Sequence, residues 1–376
     1  MLLRRCAILF LEPREDLRFA LASLLRGGSA LAASVQTLAH APHLEAPCPV
    51  DEAACAVLRT LGPSLWQEHA ALAAQHGAAC LDALLEQGLL ISDAPAHAAW
   101  RARDEAVRAA HWRPLAALLH QDSRWRDREG ENGKRFPTFA HLVERFGSPP
   151  PACSEYPQAP QLALPAPLPG PLDGVLGARY TGRNFDPQAR LDLATVARLL
   201  QRSFGAQRVH PLGATAAVLK KTSPSGGGLH PIEAYLLALR VDGLAPGFYH
   251  YHPVRHTLAA LGAPADPAAF ALTAVAGQDW FAQAPLLVFL VGRVARSFWK
   301  YRNHPKAYRV LQLDAGHLGQ SFALLAAEAG LPAFITAGIN EANIEDALGL
   351  DGRGQIVLAA LGCGAPAASI TMPELR

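Results

Sequence analysis

The sequence is short of charge, and what charge it has is balanced. Only 18% of its 376 residues are charged, with Lys+Arg 34 against Asp+Glu 32 and a formal net charge of +2. No global field of one sign surrounds the chain, which argues against nucleic acid as a partner and leaves any bound anion to a local site. Cysteine is scarce too: Cys6, Cys48, Cys55, Cys80, Cys153 and Cys363 are scattered, with no CxxC spacing. That pattern suits neither a disulfide scaffold nor a zinc site, and predicts free thiols in a reducing cytoplasm. Long apolar runs are also missing. The run after Arg4-Arg5 has about six residues, short of the ~7–15 of a signal-peptide core, and no stretch approaches the ~18 of a membrane span. Apolar residues themselves are plentiful, at 50%, so bulk disorder is excluded and a sizeable core can be buried.

At ~100–200 residues per domain the length calls for more than one domain, and proline marks the boundary. Nine of the 30 prolines lie between Pro149 and Pro171. Proline fixes φ and removes a donor, so residues 149–171 read as an extended linker between a first domain, 1–148, and a second, 172–376. The charged patch Arg124 to Arg135 reads as a solvated loop, or else a flap that closes on a partner. The first domain is mainly helical. Asp51 caps a helix ending near Gly62-Pro63, a second stretch includes Leu65, Ala70 and Leu72, and a third, Leu81 to Gln87, leads into the strand-like Leu89-Leu90-Ile91. Three helices and a strand are winged-helix-like, and the lack of a basic face favours peptide recognition or a scaffold.

The second domain alternates strands with long helices and reads as α+β. A helix is expected from Leu193 to Phe204, capped by Asp192 and stopped at Gly205. Strands are expected at Ile232 to Val241, Gly247 to His252, Pro285 to Val291, Phe334 to Thr336 and Gln355 to Leu361. A long helix is expected from about Lys306 to Glu328, and a short one around Ile344 to Leu348.

Three constellations carry chemistry. In Arg179-Tyr180-Thr181-Gly182-Arg183 two guanidiniums and a hydroxyl suit a phosphate monoester. In Ser223-Pro224-Ser225-Gly226-Gly227-Gly228-Leu229-His230-Pro231 the glycines let backbone approach a flat ligand and offer free N–H groups, while two prolines fix the chain on both sides. The third is Trp299-Lys300-Tyr301-Arg302, followed by Asp314-Ala315-Gly316-His317. Lys300 and Tyr301 are both proton carriers once desolvated or placed beside a cation. Being adjacent, they serve one substrate only if the backbone there is irregular, as Asn303-His304-Pro305 permits. His250, His252 and His256 invite a metal reading, but with no carboxylate or cysteine joining them they read as ordinary strand and turn histidines, as His230 and Glu233 read as structural. No metal is expected.

From about Arg179 onward these motifs, with the hairpin Gly247-Phe248-Tyr249-His250-Tyr251, resemble the SagB-type dehydrogenases, a flavin-dependent branch of the nitroreductase superfamily that includes azole-forming oxidases of ribosomal peptides. The resemblance implies FMN, with Arg179, Thr181 and Arg183 on its phosphate and the Ser225-Gly226-Gly227 backbone along its ring. It implies Lys300 and Tyr301 as the catalytic pair and a homodimer with FMN at the interface. It also implies a modified precursor peptide as substrate and a cyclodehydratase-type partner enzyme. After Gly362-Cys363-Gly364 no basic residue occurs before Arg376, where relatives place a further phosphate ligand. Two other functions compete with azoline-to-azole dehydrogenation: a flavin-dependent NAD(P)H reductase, and a non-catalytic scaffold that binds a leader peptide.

Overall fold

The computed structural model describes residues 1–130, 138–214 and 216–376. The first part contains strands β1 (Leu2–Arg5), β2 (Phe10–Phe19), β3 (Leu31–His40) and β4 (Cys48–Val50), with a short helix α1 (Leu21–Leu24) at the tip of the β2–β3 hairpin. Helix α2 (Glu52–Thr60), strand β5 (Gln67–Glu68), helices α3 (His69–His76) and α4 (Ala78–Glu86), and strand β6 (Leu90–Ser92) follow. Asp51 caps α2 by accepting from Ala54 N at 2.8 Å, and Leu58, Leu81, Leu84, Leu85 and Ile91 form a core with Leu3 of β1. The three helices and the strand expected from sequence are therefore present, with the two-residue β5 between the first and second helices. Leu65, however, lies outside α3 and is exposed. β6, read as a strand from sequence, lies in a sheet of order β5-β1-β6; β1, β5 and the strands of a second sheet, β2-β3-β4, were not part of the helical reading.

Helices α5 (Ala98–Ala109), α6 (Pro114–Ser123) and α7 (Phe139–Phe146) complete this part. Val107, Ala110, Trp112 and Ala117 join the core of the second part rather than their own. Beyond α6 the chain stays docked: Arg124 pairs with Glu345, Trp125 N donates to Glu341 Oε2 at 2.9 Å, Arg128 N to Asn340 Oδ1 at 2.9 Å and Gly130 N to Ala276 O at 2.8 Å. Arg124 to Gly130 is thus a strap with specific partners, not a solvated loop. The rest of that charged patch, 131–135, lies outside the described residues. The Pro-rich stretch carries no helix or strand and is exposed throughout.

The second part begins with α8 (Asp173–Ala178) and α9 (Leu193–Phe204). A ribbon, β7 (Ala206–Leu212) with β8 (Ala216–Lys221), leads to the glycine turn and then β9 (Ile232–Ala238), β10 (Gly247–His252) and β11 (Thr257–Gly262). Helices α10 (Pro267–Ala274) and α11 (Asp279–Ala282), strand β12 (Leu286–Arg293), and helices α12 (Val294–Phe298) and α13 (Ala307–Glu328) come next. Strand β13 (Ala333–Thr336), helix α14 (Glu341–Leu348) and strand β14 (Gln355–Cys363) close the chain. Six strands form an antiparallel sheet of order β11-β10-β9-β12-β14-β13. Leu286, Val288 and Leu290 of β12 face α9 and α13, while Leu287, Phe289 and Val291 face α10, α11 and α14. A strand covered on both sides reads as one continuous apolar run, which is why it stood out in the sequence. Asp192 caps α9 from its side chain onto Thr195 N at 2.7 Å.

Candidate active site

The glycine turn is held by a carboxylate. Asp314, 3% exposed on α13, accepts from Ser225 Oγ at 2.5 Å and from Gly226 N at 3.0 Å. Ser225 Oγ in turn accepts from His230 N at 2.9 Å, so one side chain fastens both ends of the turn. Gly226–Gly228 form a single 3₁₀ turn, with Gly227 at φ 65. A Cβ on Gly226 would run into Val310, and one on Gly227 would lie 2.7 Å from Tyr301 Oη and 2.8 Å from Lys300 Nζ. Glycine is required at 227 both for its left-handed φ and for the space the pair occupies. Gly226 and Gly228 do not offer free N–H groups as expected, because they donate to Asp314 and to Ser225 O.

Lys300 and Tyr301 reach the same point because the backbone between α12 and α13 is irregular. Lys300 N and Tyr301 N both donate to Ser297 O, at 3.3 and 3.2 Å, and Asn303 turns the chain with φ 51. Lys300 Nζ stands 5.7 Å from the Tyr301 ring centroid. Asn303 N donates to His111 O at 3.1 Å, which ties this turn to the first part of the chain. Arg296 joins the neighbouring elements: Nε donates to Leu229 O and Nη2 to Ala217 O, each at 3.0 Å.

The structure does not bring Arg179, Thr181 and Arg183 to this centre within one chain. Thr181 bridges Ala333, and Gly182 N donates to Ala333 O at 3.0 Å, at the end of the sheet where Cys363 pairs with Leu286. The glycine turn precedes Ile232, which pairs with Gly292 at the other end. From Leu286 to Gly292 the sheet runs about 20 Å at ~3.3 Å per residue. Around Arg183 the C-terminal tail folds back. Glu374 Oε1 accepts from Arg183 N at 2.6 Å and Asn184 N at 2.9 Å, and Arg183 Nη1 donates to Pro373 O at 3.3 Å. Arg376 pairs with Glu374 at 2.9 Å and lies 5.1 Å from the Tyr180 ring, so the distant basic residue does return to this segment.

His250 pairs with Glu233 at 3.1 Å, so a carboxylate does join that histidine, contrary to expectation. Tyr251 Oη and His256 Nδ1 are 2.8 Å apart, and His252 Nδ1 accepts from Arg255 N at 3.0 Å. Among the described residues no group of three or more His, Cys, Asp or Glu is placed to hold a metal. Nor is any helix among them long and apolar enough to cross a membrane.

Arg296 and Glu374 were not singled out by residue-type reasoning, and Asp314, named within the third constellation, was given no role there. Asp314 was detectable in principle, because it falls between Leu311 and Leu318 on the inward face of α13, where a carboxylate must find donors. Arg296 and Glu374 act on backbone groups distant in sequence, and no local pattern marks them.

Residues 176–365, half of the chain, match the profile described as the nitroreductase family. The chain belongs to the nitroreductase family. This nitroreductase is 32% identical over 170 residues to the trifolitoxin-processing protein TfxB of Rhizobium leguminosarum bv. trifolii, covering 43% of this chain and 44% of that one. It is 24% identical over 182 residues to the microcin B17-processing protein McbC of Escherichia coli, covering 46% and 62%. The matched segments thus span from under half to somewhat under two thirds of those relatives. Its fold is similar to a chain of the E. coli microcin synthetase McbBCD complex bound to truncated pro-MccB17, with a TM-score of 0.51 and 19% identity over 70% of this chain and 94% of that one. TfxB and McbC are named as processing proteins of trifolitoxin and of microcin B17, in keeping with the SagB-type resemblance, and flavin binding goes with the family.

Proposed function

We propose that this nitroreductase is an FMN-dependent dehydrogenase in the cytoplasmic maturation of a ribosomally synthesised peptide, oxidising a Cα–Cβ bond, with azoline to azole as the preferred reaction. The observation that carries the reading is the convergence of Tyr301 Oη and Lys300 Nζ on Gly227, within 2.7 and 2.8 Å of a Cβ position that glycine leaves empty. The residues suit FMN at both of its ends. Arg179, Thr181 and Arg183, with Arg376 nearby, offer the donors a phosphate needs, and the Ser225-Gly226-Gly227 turn offers bare backbone to a flat ring. Because these two sets lie at opposite ends of one sheet, a single FMN takes its phosphate contacts from one chain and its ring contacts from another. The functional unit is then a homodimer.

FMN, when bound, supplies the hydride acceptor. The chain supplies orientation and proton transfer. Lys300 Nζ or Tyr301 Oη receives the acidified Cα proton of the substrate residue, and Asp314 keeps the glycine turn in place beneath them. Trp112, stacked edge-on against Phe298 at 5.0 Å, steadies the helix from which the pair springs.

Residues 1–148 serve peptide recognition, 149–171 form the linker and 172–376 the flavin domain. A groove of about 350 Å³ between β4 and α4, lined by Val50, Ala54, Cys80 and Leu84, lies beside the outer edge of β4. An extended peptide can add there as a further strand. A precursor peptide already modified by a cyclodehydratase-type enzyme is the substrate that fits this arrangement.

Lys300→Ala and Tyr301→Phe, made separately, should each lower turnover by roughly 10²–10⁴-fold while bound FMN stays intact. Full activity in both variants refutes the assignment. Rapid flavin bleaching on anaerobic mixing with NADPH would instead identify a reductase.

A further inference from the structure

Two stretches of sequence frame the glycine turn, and neither contains an acid. Residues 193–232 and 280–313 hold eleven of the 34 lysines and arginines and none of the 32 acidic residues. The fold brings the two stretches together, since Arg296 of α12 binds Ala217 O of β8 and Leu229 O of the glycine turn. Beyond α9, which carries Arg198 and the exposed Arg202, five exposed cations join Lys300: Arg208 and Lys220 on the ribbon, and Arg302, Lys306 and Arg309 on the turn into α13. Arg198 and Arg293, from the same stretches, are paired with Glu328 and Glu233. No ion pair holds any of the five among the described residues.

Two features show that this charge is uncompensated. Arg208 and Lys220 are direct cross-strand partners in the ribbon, an arrangement in which like charges destabilise the pair. His230, next to the turn, is pushed down to about 4 by burial and then by Lys221, Lys220 and Arg296. The nearby acids are already engaged. Asp314 holds Ser225 and Gly226, and Glu233 is shared by His250 and Arg293. The rest of the chain is net acidic and repels an extended polyanion, whereas a short acidic segment meets the rim alone.

We propose that the rim formed by Arg208, Lys220, Arg302, Lys306 and Arg309 selects a peptide segment whose aspartate or glutamate side chains flank the residue delivered to Lys300 and Tyr301. The inference rests on the reading of Gly227, Lys300 and Tyr301 as the catalytic face. It is tested by fluorescence anisotropy on the full chain, with and without FMN, using fluorescein-labelled peptides of alternating glycine and glutamate and matched peptides with glutamine. The glutamate peptide should bind about tenfold tighter at low salt and lose that advantage at high salt. The double variant Arg208→Gln/Lys220→Gln, with its melting temperature and FMN content checked, should weaken glutamate-peptide binding by roughly threefold or more and leave the glutamine peptide unaffected. Equal binding of the two peptides overturns the inference, as does parental affinity in the double variant. Displacement of the glutamate peptide by a single-stranded oligonucleotide of equal charge at lower concentration also overturns it, in favour of nucleic acid. Charge-selective binding by a chain that takes up no FMN leaves the rim's preference standing and removes the flavin reading. FMN uptake without charge selectivity does the reverse.

Discussion

Replacing Asp314 by Asn isolates the anchoring of the glycine turn. The carboxylate is 3% exposed and accepts from Ser225 Oγ at 2.5 Å and Gly226 N at 3.0 Å. Asparagine keeps the shape but puts a donor NH2 where one of the two accepting oxygens, Oδ1 for Gly226 N and Oδ2 for Ser225 Oγ, stood, and the charge that strengthens each bond is gone. Hydrogen bonds to a charged group contribute ~1.5–3 kcal/mol against ~0.5–1.5 for neutral ones, which places the loss at about 2–3 kcal/mol. For a unit of ~150–250 residues each kcal/mol shifts the melting point by ~2–4 °C, so scanning fluorimetry should show a fall of roughly 4–12 °C. FMN retained through gel filtration should fall with it, because under the proposed function the turn set free is the one that lies along the ring. Ser225→Ala removes the same bond from the other side, so the double variant should be less than additive by ~1 kcal/mol. A variant that melts within about 1 °C of the parent and keeps its flavin refutes the anchoring role.

Three other outcomes follow from buried polar contacts. Burial pushes the Glu341 carboxyl up to about 7, against the pull of Trp125 N. Its folded pKa is raised, so its contribution is present at low pH and is lost as pH rises from the usual carboxylate range through about 7. Urea melts should show Glu341→Gln gaining about 3 kcal/mol on the parent over that window, and a flat difference refutes the assignment. Arg124 and Glu345 pair with side chains 7% and 1% exposed, so Arg124→Met should cost about 3–5 kcal/mol in denaturant unfolding by leaving a lone buried carboxylate. Adding Glu345→Gln should recover most of that loss. Glu374→Gln removes the charge that accepts from Arg183 N and Asn184 N and pairs with Arg376, and should weaken FMN binding roughly tenfold by fluorescence titration. Unchanged affinity means the tail does not order the phosphate segment.

The second part of the chain was legible because its signals are local. Strand β10 at Gly247–His252 and helix α9 with its Asp192 cap lie where sequence placed them, and α13 and β12 fall within two residues of expectation. The first part hid both of its longest strands, β2 and β3. Phe10–Phe19 carries Pro13 and five charged residues, a composition that argues against a strand; it is tolerated because β2 is an edge strand exposed along most of its length. The strap from Arg124 to Gly130 was misread for a different reason. Its charges look solvated until Glu345 and Asp346, more than two hundred residues away in sequence, are brought to Arg124 and Arg126. Charge composition does not reveal a long-range partner.

That strap also changes how residues 1–148 relate to the chemistry. The side chains of Lys300 and Tyr301 converge on Gly227 only because the backbone leaves regular helix at Trp299, and a turn of that kind needs support on both sides. The glycine turn and Asp314 supply one side. The other comes from the first part: His111 O receives Asn303 N at 3.1 Å, while the Trp112 ring packs against Phe298 and Tyr308 at 5.0 and 5.6 Å. Trp112 Nε1 then donates to Arg353 O at 3.1 Å, and Arg353 reaches back to Pro42 O and His43 O at 3.3 and 3.0 Å. The chain of contacts runs without a gap from the β3–β4 connection, beside the peptide groove, to the residue two positions beyond Tyr301. The first part therefore packs directly against the turn that carries Lys300 and Tyr301, and under the proposed function a peptide seated on β4 rests on the same framework as that turn.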